Sequence, residues 1–347
     1  MKKTYLIVGQ GIVGTNLGLH LDKNGHSVNF IDNFHHNAAS KVAAGLINPV
    51  TGKRIVKSWM VDTLLPYSLE FYSNLEYQFD KKFVYPLNII RLLQNQMEEN
   101  DWLARTSVND LHSYILENLS SDDLDKINIL FSKGYITNSY RIDIQSIIDH
   151  YNIILRQEKR ISQVKLNYKD INFKNENVFY QDKQFDGIIF CEGAKMIENP
   201  FFNYLPLKPT KGEALIIDYE DVITNIIKNK TALIPINDNH YWIGGTNDWN
   251  FEDENPTEDK KNLMREEWSF ILKHSFTIQS HKAAIRPATF DRFPFIGVHP
   301  KYNNLFIFNG FGTKATLMSP YFANHFVDFL TNNTSLLPEI NCNRFKI

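Results

Sequence analysis

Three glycines near the start of the chain have the spacing of a nucleotide-binding turn. In residues 9–14 (GQGIVG), Gly9 permits a tight turn and Gly11 lets the backbone approach a pyrophosphate. Gly14 allows close packing of a helix on a strand, and the start of that helix offers N–H donors and a positive dipole end to phosphates. Asp32 lies 23 residues after Gly9, where a carboxylate can accept hydrogen bonds from ribose hydroxyls. These residues together predict a dinucleotide site.

The surrounding sequence supplies the elements that must position those residues. A short apolar run predicts a strand over 4–8, a helix follows over 12–24, and a second strand over 27–32 ends on the acid. The alternative is a structural glycine turn with a surface aspartate. The pattern does not by itself distinguish FAD from NAD.

The rest of the chain repeats this strand–helix character in its middle and at its end. Strands are predicted at 187–191 and 304–309, short strands over 163–185 and 211–250, and helices at 61–76, 142–157, 257–274 and 316–331, with weak helical periodicity over 96–118. We expect an α/β fold, a Rossmann-like FAD-binding domain with an inserted, mainly antiparallel β-sheet substrate domain. The FAD-binding domain would comprise 1–77, 137–207 and 286–347, and the substrate domain 78–136 and 208–285.

Composition narrows the class of protein. The 347 residues are 43% hydrophobic and 22% charged, the ordinary range for a globular chain long enough for two domains. A net charge of −2 provides no general attraction for nucleic acid or anionic lipid. Cys191, Cys342 and the histidines show no metal-ligand spacing, so no metal is expected. Neither a signal peptide nor a membrane span is predicted, which makes the cytoplasm the expected location.

Four further segments resemble one known family. They are residues 40–49 (SKVAAGLINP), 185–194 (FDGIIFCEGA), 285–297 (IRPATFDRFPFIG) and 309–316 (NGFGTKAT). In this order they resemble the D-amino-acid oxidase superfamily, particularly its glycine oxidase and sarcosine oxidase branch. They are also similar to the oxidase domain of a bifunctional enzyme that matures a tRNA wobble uridine. The resemblance spans nearly the whole chain but is looser in the predicted substrate domain.

The resemblance implies FAD as the cofactor and assigns residues to it. A strand near Asp170 and Ile171 would receive the adenine, although the match there is poor. The implied cofactor residues are Gly9, Gly11, Ile12, Val13, Gly14, Asp32, Asn33, Ser40, Ala43, Ala44, Gly45, Leu46, Ile47, Ile171, Gly193, Phe311, Gly312, Thr313, Lys314, Ala315, Thr316 and Leu317.

The sequence departs from the family at three of its positions. Asp32 stands where glutamate is commoner, and Gly310-Phe311 replaces a usual Gly-His pair. Some sarcosine oxidases attach flavin through a cysteine near the arginine motif, where this chain has Ala284. The resemblance therefore implies noncovalent FAD.

Flavin-dependent amine oxidation needs a substrate anchor and positive electrostatics rather than a protein nucleophile. The resemblance makes Arg286 the anchor for a substrate carboxylate, with a structural salt bridge to Asp291 as the alternative. Tyr241 would line the substrate pocket, unless it only packs in its strand. Lys314 would tune the flavin or its reaction with oxygen, unless it is a solvated loop residue. The start of the helix at 316–331 would offset negative charge on the flavin.

The implied function is oxidation of the C–N bond of an amino acid or N-substituted glycine to an imine, which water hydrolyses. The partners would be that small molecule and oxygen or another electron acceptor. Three alternatives remain open at this point: an oxidase of a carboxymethylaminomethyl-type nucleoside in tRNA, an NAD(P)-dependent dehydrogenase, and a non-catalytic flavoprotein subunit.

Overall fold

The computed structural model describes residues 2–52, 54–174 and 177–345. Within them the α-helices are α1 Ile12–Lys23, α2 Ala39–Val42, α3 Val61–Phe79, α4 Gln96–Thr106, α5 Ile144–Gln157, α6 Glu258–Ile271 and α7 Ala315–Asn332. The strands are β1 Thr4–Val8, β2 Ser27–Ile31, β3 Leu46–Ile47, β4 Val50–Thr51, β5 Val56–Lys57, β6 Val84–Leu93, β7 Ile115–Leu116, β8 Ser132–Ile142, β9 Ile161–Ser162, β10 Ile171–Lys174, β11 Asn177–Tyr180, β12 Lys183–Phe185, β13 Gly187–Phe190, β14 Thr210–Tyr219, β15 Ile226–Lys228, β16 Ala232–Pro235, β17 His240–Gly244, β18 Phe276–Arg286, β19 Phe295–Val298 and β20 Leu305–Asn309.

A six-stranded sheet holds the nucleotide-binding turn. Its order is β19-β20-β13-β1-β2-β9, and all neighbouring pairs are parallel except β19 with β20. Successive residues of β1 point into different cores: Tyr5 and Ile7 pack on the side of α1 and α7, whereas Leu6 and Val8 pack on the opposite side. Burial on both faces explains why β1 and β13 read as continuous apolar runs.

A larger sheet lies beside it, in the order β18-β14-β17-β16-β15-β6-β8-β3, with β7 attached to β8. Its pairs are antiparallel except for β15 with β6. One face packs against α6, where Met264 and Trp268 contact a core that includes Leu215 and Ile243. The other face carries Ala214, Trp242 and similar side chains that face a cavity.

The fold class expected from the sequence is confirmed, and the predicted elements of the six-stranded sheet lie within a few residues of their observed bounds. The long strands β6, β8 and β18 carry no regular alternation and were not predicted as such. Strand β8 belongs to the larger sheet throughout, although the expected domain boundary at 136/137 falls inside it. The division into an FAD-binding and a substrate domain stays a prediction.

None of the helices in the described part of the chain is both long enough and apolar enough to cross a membrane.

Candidate active site

A cavity of about 1400 Å³ lies between the two sheets. One wall comes from the loops that follow β1, β2, β13 and β20, and the other from the inner face of the larger sheet. Sites for drug-sized ligands usually measure about 300–1,000 Å³. This cavity is large enough for a dinucleotide and a second, smaller molecule.

The glycines of the turn are required by close backbone contacts. Gly9 has φ +102°, and a Cβ placed on it would lie 2.4 Å from the carbonyl oxygen of Cys191. A Cβ on Gly14 would lie 2.0 Å from the carbonyl oxygen of Gly9. Gly14 therefore keeps the start of α1 packed against the end of β1, as the sequence predicts, but does not itself line the cavity.

Two helices point uncapped N-termini at this cavity. Helix α1 has Gly11 as its N-cap residue and α7 has Lys314, and neither N-cap side chain accepts a hydrogen bond from its helix. In α1 the Ile12 N–H donates to Ser40 Oγ at 3.0 Å, and the next N–H groups of the first turn have no acceptor within the helix. Helix α7 directly continues a 3-10 turn at Gly312–Lys314, which itself has no side-chain cap. Both positive dipole ends suit a ligand with two separate anionic parts.

Asp32 follows β2 and lies on the cavity wall. Its two carboxylate oxygens accept hydrogen bonds from the backbone N–H groups of Gln10 and Phe34. These contacts hold the carboxylate beside the turn, and each oxygen keeps a lone pair for a further donor such as a ribose hydroxyl. The uncapped helix, the glycines and this acid together fit the pyrophosphate and ribose of FAD.

Every predicted cofactor residue lines the cavity except Gly14 and Ile171. Ile171 begins β10 and is buried against Val178 and its neighbours, so the structure does not bring it to the site. Val164 and Leu166 line the cavity instead. A 3-10 turn at Tyr168–Asp170 separates this extended segment from β10 and carries the strand away from the cavity, which local sequence did not reveal.

Arg286 ends β18 on the substrate side of the cavity. One guanidinium nitrogen donates to the Thr246 carbonyl at 2.8 Å and to Asn247 Oδ1 at 2.9 Å. The group lies flat over Gly212, where a Cβ would be 2.0 Å from the other terminal nitrogen. Burial lowers the pKa of Arg286, and among the described residues it forms no ion pair.

The alternative role for Arg286 depended on a salt bridge to Asp291. Asp291 pairs instead with Arg344, whose Nε lies 2.8 Å from a carboxylate oxygen. The Arg286 guanidinium therefore keeps donors free for a ligand carboxylate, in the planar geometry that suits one.

Tyr241 and Trp242 are neighbours on β17 but face opposite sides of the sheet. Tyr241 is fully buried on the α6 side, where its hydroxyl donates to the Asp221 carbonyl and accepts from the Ile223 N–H. The structure therefore does not bring Tyr241 to the cavity, because successive strand residues alternate between faces. Trp242 lines the cavity, and its Nε1–H donates to the Val42 carbonyl at 2.8 Å.

Lys314 lies at the start of α7 on the cavity wall. Burial lowers the pKa of its ammonium group, and the positive charge of Arg292 lowers it further. Arg292 also lines the cavity, and neither cation forms an ion pair within the described ranges. Together with the dipole of α7 they make this corner of the cavity positive.

Glu192 is a wall residue that sequence reasoning missed. Its carboxylate accepts hydrogen bonds from the Tyr168 hydroxyl and the Asn199 side-chain amide, both at 2.6 Å. Burial nevertheless raises its pKa from the ordinary 4.5 to about 7. In the sequence, the only feature that pointed to Glu192 was its position directly after an apolar strand, which did not predict a buried carboxyl group with a raised pKa.

The cysteines lie away from the arginine. Ala284 is buried against Val42 and Ala214, beside Arg286 on the same strand. Cys191 contacts the nucleotide turn, and burial raises the pKa of its thiol. Cys342 does not line the cavity, and burial raises its pKa to about 12. In the described part of the chain, no group of His, Cys, Asp or Glu side chains could hold a metal ion.

A dinucleotide turn, two helix N-termini directed at the cavity and a cationic opposite wall are the features of a dinucleotide-dependent oxidoreductase. The family model described as DAO, FAD dependent oxidoreductase, matches residues 4–329. The chain belongs to this family, which confirms FAD as the cofactor and sets aside an NAD(P)-dependent dehydrogenase.

Three similar proteins are informative. The uncharacterized oxidoreductase YurR of Bacillus subtilis is 23% identical, and the alignment covers 92% of each chain. The structure of glycine oxidase from Bacillus cereus superposes with a TM-score of 0.81, 18% identity and 96% coverage of each chain. Iminodiacetate oxidase from Chelativorans sp. BNC1 superposes with a TM-score of 0.76 and 15% identity, covering 96% of this chain and 97% of the other. At these identities the structures show the shared fold.

Proposed function

We propose that this enzyme oxidises the C–N bond of a small amino acid or N-substituted glycine to an imine, which water then hydrolyses. The observation that carries the proposal is Arg286, a cavity-lining guanidinium that has no carboxylate partner among the described residues. The names of the glycine and iminodiacetate oxidases that share the fold support the same substrate class.

Each part of the site has a distinct task in this reaction. Bound noncovalently, FAD supplies the acceptor for the hydride equivalent. Arg286 holds the substrate carboxylate and so fixes which carbon faces the cofactor. Trp242 and Ile234 form an apolar floor that keeps water from the reacting bond. Lys314 and the N-terminus of α7 stabilise negative charge near them. Oxygen or another acceptor completes the cycle.

Replacing Arg286 tests the proposal. Removing one partner of a buried charged pair costs on the order of 2–5 kcal/mol, so Arg286→Ala should lose roughly 30-fold to several-thousand-fold in kcat/KM. Arg286→Lys should recover only part of this, because a point charge cannot reproduce the planar fork. The measurement is stopped-flow flavin reduction under nitrogen with glycine, sarcosine, proline and D-amino acids.

Arg265 provides a matched control, because it is exposed on α6, outside the cavity. Arg265→Ala should reduce flavin at the wild-type rate, and all variants should retain their FAD. Wild-type efficiency of Arg286→Ala with the best substrate would contradict the anchor role. A protein whose FAD is not released by acid or heat would contradict noncovalent binding.

Two other functions remain possible outcomes of the same experiment. A tRNA nucleoside oxidase would leave the flavin oxidised with every free amino acid and reduce it only with the modified nucleoside or tRNA. A non-catalytic flavoprotein subunit would show no reduction with any amine. Neither has a supporting observation comparable to the unpaired Arg286.

A further inference from the structure

The cavity wall formed by the larger sheet carries a pair of adjacent cations, Lys228 and Arg91, that form no ion pair among the described residues. Lys228 and Arg91 stand side by side on the paired strands β15 and β6, in direct register and on the same face as the cavity-lining Ile226 and Ile89. Lys228 itself lines the cavity, and its ammonium donates to the Lys230 carbonyl at 2.9 Å. Arg91 donates to the Gly52 carbonyl at 3.1 Å, on the cavity rim.

Neither cation has an acidic partner within the described ranges. The nearest carboxylates are already bound to neutral donors. Glu267 accepts from Thr231 and Asn229, and Glu98 accepts from the Gln94 N–H. Burial lowers the pKa of Arg91, and the charge of Glu98 opposes this. Burial also lowers the pKa of Lys228, to about 8, where the opposing charge of Glu267 outweighs the further lowering by Arg91. Two like charges, partly desolvated and adjacent, cost free energy that a bound anion would offset.

The position of this pair indicates which anion it binds. The cofactor's pyrophosphate is accounted for at the start of α1, on the opposite wall. From β15 the sheet continues through β16, β17 and β14 to β18, where Arg286 lies. On β18 the residue in register with Lys228 is Lys282, and Arg286 lies four residues further along that strand. Four strand spacings of about 4.8 Å and four residues of about 3.3 Å therefore separate the Lys228 and Arg286 backbones by roughly 23 Å. The Arg286 guanidinium reaches inward over Gly212 on β14, three strand spacings and two residues from Lys228, which brings it to roughly 16 Å from the Lys228 backbone.

The floor between the two cationic ends is apolar. On the strands between β15 and β18, the residues in register with Lys228 are Ala232, Gly244 and Ala214, and all three line the cavity. The indole of Trp242 lies over Gly244, where a Cβ would be 2.8 Å from the ring. A molecule with a carboxylate at each end and an apolar middle matches this arrangement.

We propose that Lys228 and Arg91 form a second anion-binding position, and that the substrate is an elongated dicarboxylate: an N-substituted glycine whose substituent ends in a second carboxylate. This rests on the proposed function for the end held by Arg286. The second position determines which substituents are accepted and takes no part in the oxidation itself.

Binding of simple diacids tests the second position independently of turnover. The holoenzyme is titrated calorimetrically with the dicarboxylates from succinate to sebacate, and with monocarboxylates of equal chain length. One of the longer diacids should bind about tenfold more tightly than its monocarboxylate, the effect of a partly desolvated charge pair. Lys228→Met should remove this advantage, Lys228→Arg should keep part of it, and Arg286→Ala should weaken both ligands.

Lys230→Met is the matched control, because Lys230 is exposed at the tip of the hairpin formed by β15 and β16. The substitution removes one positive charge, as Lys228→Met does. Lys230→Met should bind the diacid with the full advantage of the wild type. Every variant should retain the flavin content of the wild type. Arg91→Gln should also remove the advantage of the diacid. If it instead unfolds the protein by disturbing the contact of Arg91 with Trp102, Lys228→Met still decides the outcome. The proposal is overturned if no diacid exceeds its monocarboxylate, or if the advantage survives Lys228→Met.

Flavin reduction then separates this proposal from the proposed function. N-carboxymethyl derivatives of ω-amino acids are compared with N-alkylglycines of equal length under nitrogen. Equal kcat/KM for both series at every length would refute the second position and leave amine oxidation standing. Tight diacid binding without reduction by any amine would refute the amine oxidation and leave the second position standing.

Discussion

The two walls of the cavity present different groups. The nucleotide wall presents backbone groups: the turn at 9–14 and the starts of α1 and α7. The substrate wall, which is the inner face of the larger sheet, presents side chains such as Arg286, Trp242 and Lys228. We expect binding at the nucleotide wall to be lost when a substitution adds an atom where none fits. We expect binding at the substrate wall to be lost when a substitution removes a side chain that faces the cavity.

Substituting Gly14 should have the largest effect, because it adds an atom to the nucleotide wall. The Cβ of Gly14→Ala would lie 2.0 Å from the Gly9 carbonyl oxygen, which neither backbone segment can accommodate without moving. We expect a loss of more than about 3 kcal/mol in unfolding free energy and of most bound FAD. Thermal unfolding and the flavin absorbance of the purified protein measure both.

Gly25→Ala is the control for this substitution. Gly25 has φ +78° but nothing within 4 Å of a Cβ, so only backbone strain of about 1 kcal/mol should result. Gly14 itself lies in helix α1 and has no positive φ, so equal losses in the two variants would show that the contact with the Gly9 carbonyl has no special cost.

Substitutions of the neighbours Tyr241 and Trp242 should have different effects: we expect the first to lower stability and the second to lower activity. Tyr241→Phe leaves the buried Ile223 N–H without an acceptor, so it should cost about 1–3 kcal/mol of stability while flavin reduction stays unchanged. Trp242→Phe removes the hydrogen bond to the Val42 carbonyl and part of the floor, so it should slow reduction about tenfold with little loss of stability.

Chemical denaturation and stopped-flow reduction of the same preparations measure the two quantities. Slower reduction in Tyr241→Phe at unchanged FAD content would restore the catalytic role that its sequence context suggested.

The smallest expected effect concerns Glu192 and pH. Because the fold raises the pKa of this carboxyl from 4.5 to about 7, the folded protein binds the proton more tightly than the unfolded chain does. The stability that this provides is complete below about pH 4.5 and is lost as the pH rises through about 7. Glu192→Gln should therefore be more stable than wild type at about pH 8, by about 1–2 kcal/mol after allowance for solvent at the cavity wall.

Unfolding midpoints from about pH 5 to about pH 8 check this, and the difference between the two proteins should grow with pH. Glutamine can still accept from Asn199 and donate to the Tyr168 hydroxyl, so the packing is preserved. A constant difference across the range would show that Glu192 has no raised pKa.

The nucleotide wall was largely predictable because its determinants are local. Residues 9–14 and Asp32 belong to a short segment whose spacing already limits its geometry, whereas Ser40 and 311–317 were implied by the resemblance to a family. All of them line the cavity or support it. Ile171 is the predicted cofactor residue that lies away from the cavity. A 3-10 turn directs β10 away from the cavity, and no residue pattern near it predicts that turn.

On the substrate wall the sequence indicated the segments but not their sides or partners. The motif around Arg286 was recognisable from the sequence. That Arg286 forms no salt bridge with Asp291, however, depends on Arg344, which lies 53 positions after Asp291 and pairs with it. Tyr241 and Trp242 could not be assigned to faces without the register of β17, because a shift of one residue exchanges them.

By itself, the sequence determined the class of fold and predicted the dinucleotide turn, because glycine spacing and strand–helix alternation act over a few residues. Its resemblance to a known family then implied FAD. Only the tertiary structure decided what the larger sheet presents to the cavity. It paired Lys228 with Arg91 from strands more than a hundred residues apart, and it placed Lys228 on the same cavity-lining side of the sheet as Arg286. Such contacts depend on strand order and register, which local sequence does not specify.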